Sequence, residues 1–267
     1  VAFCREAGAM TNAESLQIRN LSKTFGGVKA VVDLSIDVGG NAIECIIGPN
    51  GAGKSTLLNI LSGFIRPDAG EVLYRGRNLC SVRPDQISAL GIVRTFQVAR
   101  PFQSLSLIEN LLAFGAGQPG EHAWQALFGT SKARHRESDL IASANRIATD
   151  LRLSPLLYEP SMELSGGQKK LLDLGRALMC DPQLILLDEP VSGVNPALSM
   201  EIATAIKSLA SQGFRFVIVE HNMSFVRAIS DHVVVLAEGR LLARGSFEDI
   251  LNNTQVQEAY LGNVART

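Results

Sequence analysis

No apolar run in this chain approaches the ~18–20 residues that a membrane-spanning helix requires. Its candidate stretches, such as Leu184–Leu187 and Val233–Ala237, are strand-length, so the chain does not cross a membrane by itself. Residues Val1–Ala9 have no apolar segment of the kind a secretory signal carries. Met10 reads as the native start after an upstream extension, with residues 1–13 outside the folded domain. The four cysteines, at 4, 45, 80 and 180, form no C-x-x-C pair and join no histidine at metal-ligand spacing. That favours reduced, packed thiols of a cytosolic protein over a disulfide framework or a zinc site. Neither sign of charge dominates: 25 Lys and Arg against 26 Asp and Glu leave a net charge of −1. A global basic field for nucleic acid is therefore excluded. No internal repeat or low-complexity segment stands out.

What is present is a folded chain of ordinary composition, 46% hydrophobic and 19% charged over 267 residues. At ~150 residues per domain, that length makes one large domain or two lobes with a sizeable core. Leu16–Arg19 alternates like a half-buried strand, Gly26-Gly27 makes a turn, and Val28–Val38 reads as the second arm of an antiparallel hairpin. Ala42–Ile47 is a short buried strand that runs into a glycine loop and then a helix over Lys54–Phe64. Glu71–Tyr74 reads as an edge strand. From about Pro101 to Met179 the periodicity is helical, over Leu105–Phe114, Arg134–Leu151 and Gly167–Met179, with a loop or short helix over Gly115–Thr130. Strand patterns return at Leu184–Leu187, Arg215–Val219 and Val233–Leu236, with a helix over Pro196–Ser211. Parallel strands alternating with helices imply a layered α/β core, and the helical block between core strands implies a second lobe.

Three motifs carry chemistry. Gly48-Pro49-Asn50-Gly51-Ala52-Gly53-Lys54-Ser55 fits G-x-x-x-x-G-K-[ST] and lies between a predicted strand and a predicted helix, followed by Thr56. Such a loop turns its N–H groups and a positive helix end onto phosphates. Lys54 would reach the β- and γ-phosphates, and the Ser55 hydroxyl would ligate Mg²⁺. Leu184–Leu187 followed by Asp188 and Glu189 is a buried strand that delivers two acids at its end. Asp188 would hold Mg²⁺, and Glu189 would polarise the attacking water as general base. Ser165-Gly166-Gly167-Gln168 opens the Gly167–Met179 helix. It reads either as an N-cap serine before flexible glycines or as a second anion cradle. One phosphate chain does not need two cradles in one chain, which points to a nucleotide shared between two copies.

The order of these motifs resembles the nucleotide-binding subunit of an ABC transporter, over about Leu16 to Gly262. Walker A is at 48–55, the signature at 164–168, Walker B at 184–189, and a histidine follows a further strand at His221. The resemblance implies a P-loop NTPase (RecA-like) α/β core with an antiparallel β lobe and an inserted helical lobe. The domain would span 14–265, with core and β lobe in 14–97 and 180–265 and the helical lobe in 98–179. By resemblance, Phe25 stacks on adenine, the other reading being a core residue of the hairpin. Gln97 is the Q-loop glutamine, which contacts Mg²⁺ and the lytic water. His221 is the switch histidine at the γ-phosphate, the other reading being structural. One departure is Asn195, where the family's D-loop usually has Asp. Asparagine can hydrogen-bond across an interface but cannot act as a carboxylate.

Local strings narrow the resemblance. Gly91–Gln97, Gly193–Pro196, Val219–Met223 and Val256–Gly262 are similar to the ATP-binding subunits of branched-chain amino-acid importers. Urea or amide importers and lipopolysaccharide-export ATPases are the neighbouring readings. A soluble ABC ATPase and a P-loop kinase fit less of the sequence. The resemblance implies ATP and Mg²⁺ as cofactors and a homo- or heterodimer of cassettes. It also implies two transmembrane permeases, an indirect periplasmic or extracellular solute-binding protein, no nucleic acid, and a peripheral place on the cytoplasmic face of the inner membrane. Val98, Arg100, Pro101 and Phe102 would line the groove for a permease helix.

Overall fold

The computed structural model describes residues 15–95, 102–116 and 131–261, with backbone alone for 131–134 and 261. Two sheets organise it. The first is antiparallel, in the order β2-β1-β4-β5, from β1 (Leu16–Phe25), β2 (Val28–Val38), β4 (Ala69–Tyr74) and β5 (Arg77–Asn78). Gly26 and Gly27 both have positive φ, +50° and +94°, the backbone that a two-residue hairpin turn demands. β4 lies inside this sheet rather than at its edge, because the two-residue β5 covers it.

The second sheet has six strands in the order β10-β9-β3-β8-β7-β6. Its parallel part comprises β3 (Ile43–Ile47), β6 (Ile92–Arg94), β7 (Leu184–Asp188), β8 (Arg215–Val219) and β9 (His232–Ala237), and β10 (Arg240–Gly245) closes it antiparallel. Along these strands successive side chains enter different cores. Ile43, Cys45, Ile47, Ile185, Leu187, Phe216 and Ile218 face one core. Ile46, Leu184, Leu186, Val217 and Val219 face the other.

The second core also holds the antiparallel sheet and helix α1 (Lys54–Leu61). This helix ends earlier than the sequence pattern predicts. The Ser62 hydroxyl turns back on the Leu58 carbonyl at 2.6 Å, and Gly63 takes φ +75°. After α2 (Pro84–Ala89) and β6, the first core takes in α3 (Leu107–Leu112), α4 (Ser131–Asp150) and α5 (Gly166–Met179). These follow β6 and precede β7 in the chain. Leu111, Ala144, Ile147, Leu171 and Leu174 pack their apolar stripes together. Among the described residues, the α-helices after β7 are α6 (Pro196–Ser211), α7 (Met223–Ile229), α8 (Phe247–Leu251) and α9 (Thr254–Leu261). Among the described residues no helix is long and apolar enough to cross a membrane. The expected loop over 115–130 lies mostly outside the described residues.

Candidate nucleotide-binding site

Parallel strands converge on one place, because ligands of an open α/β sheet gather beyond the carboxyl ends of its strands. β3 ends into Gly48, β6 into Thr95, β7 at Asp188 and Glu189, and β8 into Glu220 and His221. The loop from Gly48 to Gly53 is held open by glycine. At Gly48, φ is +151° and a Cβ would stand 2.1 Å from the Leu236 carbonyl oxygen. At Gly53, φ is +95° and a Cβ would stand 2.2 Å from the Ala30 carbonyl oxygen. No other side chain fits either position. Gly53 is also the N-cap of α1, and no side chain caps that helix. Its first N–H groups therefore point at the loop cradle without a side-chain acceptor, the arrangement that suits a phosphate.

Lys54 is buried, and its ammonium donates to the carbonyls of Gly48 at 2.7 Å and Pro49 at 3.0 Å. Burial lowers its pKa, and the charges of Glu189 and Asp188 oppose the change. Ser55 is exposed on the first turn of α1 and Thr56 is half-buried beside it. Ser55 and Asp188 offer hydroxyl and carboxylate oxygens, the donor type that Mg²⁺ takes, with phosphate and water completing its shell. Asp188 is buried at 6% exposure, and its Oδ2 accepts from Arg94 Nη2 at 2.8 Å. Glu189 has φ +48°, a left-handed backbone unusual for a residue with a side chain. Its Oε1 lies 3.5 Å from His221 Nδ1.

Phe25 is 44% exposed at the hairpin tip, with the Lys23 ammonium 5.4 Å from its ring centre. The core reading of Phe25 is therefore corrected: the ring lies open, as a stacking face must. Gln97, Val98, Arg100 and Pro101 lie outside the described residues.

Ser165–Gln168 stand apart from this cluster. Ser165 and Gln168 form a capping box on α5: Gln168 N–H donates to Ser165 Oγ at 3.3 Å, and Ser165 N–H donates to Gln168 Oε1 at 2.8 Å. Both side chains border a cavity of about 290 Å³ lined also by Leu153, Leu198 and Glu201, with no residue of 48–56 in its wall. Gly166 has open space around it, whereas a Cβ on Gly167 would meet Leu198 Cδ2 at 1.8 Å. Gly167 thus lies against the Leu198 side chain of α6, which would have to move to admit a Cβ. Asn195 caps α6 through Oδ1, which accepts from Leu198 N–H at 2.9 Å.

A family model described as ABC transporter matches residues 31–192. The chain belongs to the ABC transporter family. A second model, described as branched-chain amino acid ATP-binding cassette transporter, matches residues 240–266 of this cassette. A probable branched-chain amino acid transport ATP-binding protein of Archaeoglobus fulgidus is 42% identical over 92% of the cassette and 95% of that protein. A high-affinity branched-chain amino acid transport ATP-binding protein of Escherichia coli (strain K12) is 35% identical over 92% and 97%. The solved ADP conformation of an ATP-binding cassette matches with TM-score 0.80 at 38% identity, covering 93% of this chain and 99% of that one. The fold is accordingly that of a P-loop NTPase, and the chain is an ATP-hydrolysing cassette of the ABC type.

Three features of the cassette have no local sequence signal. Arg94 joins Asp188 to α1, donating also to Asn59 Oδ1 at 2.7 Å and Ser62 Oγ at 3.0 Å. Glu220 is completely buried between the Walker B turn and the histidine loop. Tyr260, on α9, buries its hydroxyl, and that burial raises its pKa to about 12. A groove of about 550 Å³ runs between α2, β6 and α5, walled by Phe64, Ile87, Val93, Phe114 and Arg176. The Arg176 guanidinium lies over the Phe114 ring at 4.1 Å and the Phe102 ring at 5.2 Å.

Proposed function

We propose that the cassette powers the import of branched-chain amino acids through two permease subunits. It would work as a homodimer or beside a paralogous cassette. One observation carries the mechanism. The phosphate cradle and its two acids converge at strand ends, while Ser165–Gln168 cap a different helix outside that cluster. A second cassette facing head to tail would bring its own Ser165–Gln168 to the first one's Gly48–Thr56.

In that arrangement Phe25 stacks on adenine, and Gly48–Gly53 wrap the phosphates with backbone N–H groups. Lys54 leaves the Gly48 and Pro49 carbonyls for the β- and γ-phosphates. Ser55, Asp188 and Gln97 would hold Mg²⁺, which when bound would offset phosphate charge. Glu189 takes the proton of the attacking water, and His221 beside it holds the γ-phosphate. Residues 98–179 act as the helical lobe, which turns against the core of 14–97 and 180–265.

The groove by Phe64, Phe114 and Arg176 receives a permease helix. Membrane contact is then borrowed from partners, and the chain sits peripherally on the cytoplasmic face of the inner membrane. A solute-binding protein engages the permeases on the far side. The match of residues 240–266 to the branched-chain amino-acid model favours that cargo over urea, amide or lipopolysaccharide.

The test is Glu189→Gln on a sizing column with ATP and Mg²⁺. The variant should elute as a dimer and lose turnover. A variant that stays monomeric with full turnover would refute the shared site.

A further inference from the structure

The buried carboxylate of Glu220 collects three backbone donors from two loops. Val191 N–H donates to Oε1 at 3.1 Å, and the N–H groups of His221 and Asn222 donate to Oε2 at 2.9 and 3.1 Å. The N–H of Glu220 itself donates to the Ile46 carbonyl at 3.3 Å, one strand away. A buried carboxylate is tolerable only when its charge is answered in this way. Both oxygens thus accept from backbone, and His221 Nδ1 lies 3.9 Å from Oε2.

The two loops it ties have different tasks. One carries His221. The other runs from Glu189 through Val191 to Asn195 and then into α6. Glu189 sits in a left-handed conformation that costs free energy and persists only where neighbours hold it. Its restraints include Glu189 N–H to the Val219 carbonyl at 2.9 Å, Ser192 N–H to the Glu189 carbonyl at 3.1 Å, and the Val191 bond to Glu220.

We infer that Glu220 is a positioning residue: a buried strut that makes the His221 loop and the 189–195 loop move as one piece and keeps Glu189 in its left-handed pose. Resting on the two-cassette reading above, the strut carries the state sensed at His221 to the 192–195 segment that faces the second copy.

Glu220→Gln keeps the shape but sets an amide donor against a backbone donor on one side. In the full-length chain, ATP affinity should stay within about threefold, because the Gly48–Thr56 cradle is untouched. The kcat should fall by about tenfold or more, the effect of losing a hydrogen bond to a charged group. Amide hydrogen exchange at Val191, or at His221 and Asn222, should accelerate over wild type.

Unchanged kcat, or an equal loss of kcat and ATP affinity, would overturn the proposal. A second measurement needs no variant: in the wild-type chain these three N–H groups should change protection together when ATP is added, and independent changes would also overturn it. Glu189→Gln run alongside separates the two ideas. If it fails to dimerise, the two-cassette reading fails, while exchange at Val191, His221 and Asn222 still judges the strut within one chain.

Discussion

Arg94→Met tests whether the structure assigns the support of Asp188 correctly. The side chains of Arg94 and Asp188 are 10% and 6% exposed, and their atoms meet at 2.8 Å. Charges about 4 Å apart at an effective dielectric of ~20 attract by ~4 kcal/mol. Removing one partner of a buried pair costs ~3–5 kcal/mol, because the other charge is left uncompensated. Arg94→Met also strips Asn59 Oδ1 and Ser62 Oγ of a donor. The single variant should therefore lose ~3–5 kcal/mol, a large share of a typical stability of ~5–15 kcal/mol. Urea unfolding without nucleotide, followed by circular dichroism, reads this as a lower midpoint at constant slope. Asp188→Asn removes the charge that needs compensation, so the double variant should recover part of the loss, with a coupling of ~2–3 kcal/mol. A loss below ~1 kcal/mol for Arg94→Met, the behaviour of an exposed pair, would refute the assignment, and so would strict additivity.

Other perturbations follow from the same geometry. Gly167→Ala forces a methyl into Leu198. Overpacking of ~1–3 kcal/mol, offset by the ~1 kcal/mol that alanine gains in a helix, should leave it less stable by up to about 2 kcal/mol. In a Leu198→Ala background the clash is gone and the same substitution should stabilise, a sign reversal that thermal unfolding can read. Ser165→Ala deletes the α5 cap and should cost about 1 kcal/mol in the isolated chain, measured by denaturant unfolding. Burial raises the pKa of Glu44, opposed by the Gly39 N–H and Arg244. A raised folded pKa means that the Glu44 contribution is present below its ordinary value of 4.5 and is lost as pH climbs through the folded value. The stability of wild type relative to Glu44→Gln should thus fall as pH rises above about 4.5 and then level off, as read by urea midpoints across that range.

The parts of this cassette that the sequence reveals are those whose chemistry is local. Gly48 and Gly53 are visible because the loop needs backbone that a Cβ would block, and the required residues are adjacent in the chain. The β3, β7 and β8 strands are visible as short apolar runs, buried along their whole length. β6 has three residues, too few for a period, and it becomes a strand only because β7 lies beside it. Arg94 and Glu220 escape for a related reason. Each is a polar residue at a strand end whose partner is distant in sequence, Asp188 for one and Val191 for the other, so neither pairing leaves a spacing to read.

Ser165–Gln168 is the instructive middle case, because the string permits an N-cap and an anion cradle at once. The chain by itself makes the cap, and Gly167 serves packing. A cradle role needs a second cassette to face it. Dimerisation of Glu189→Gln therefore discriminates between the two roles of Ser165.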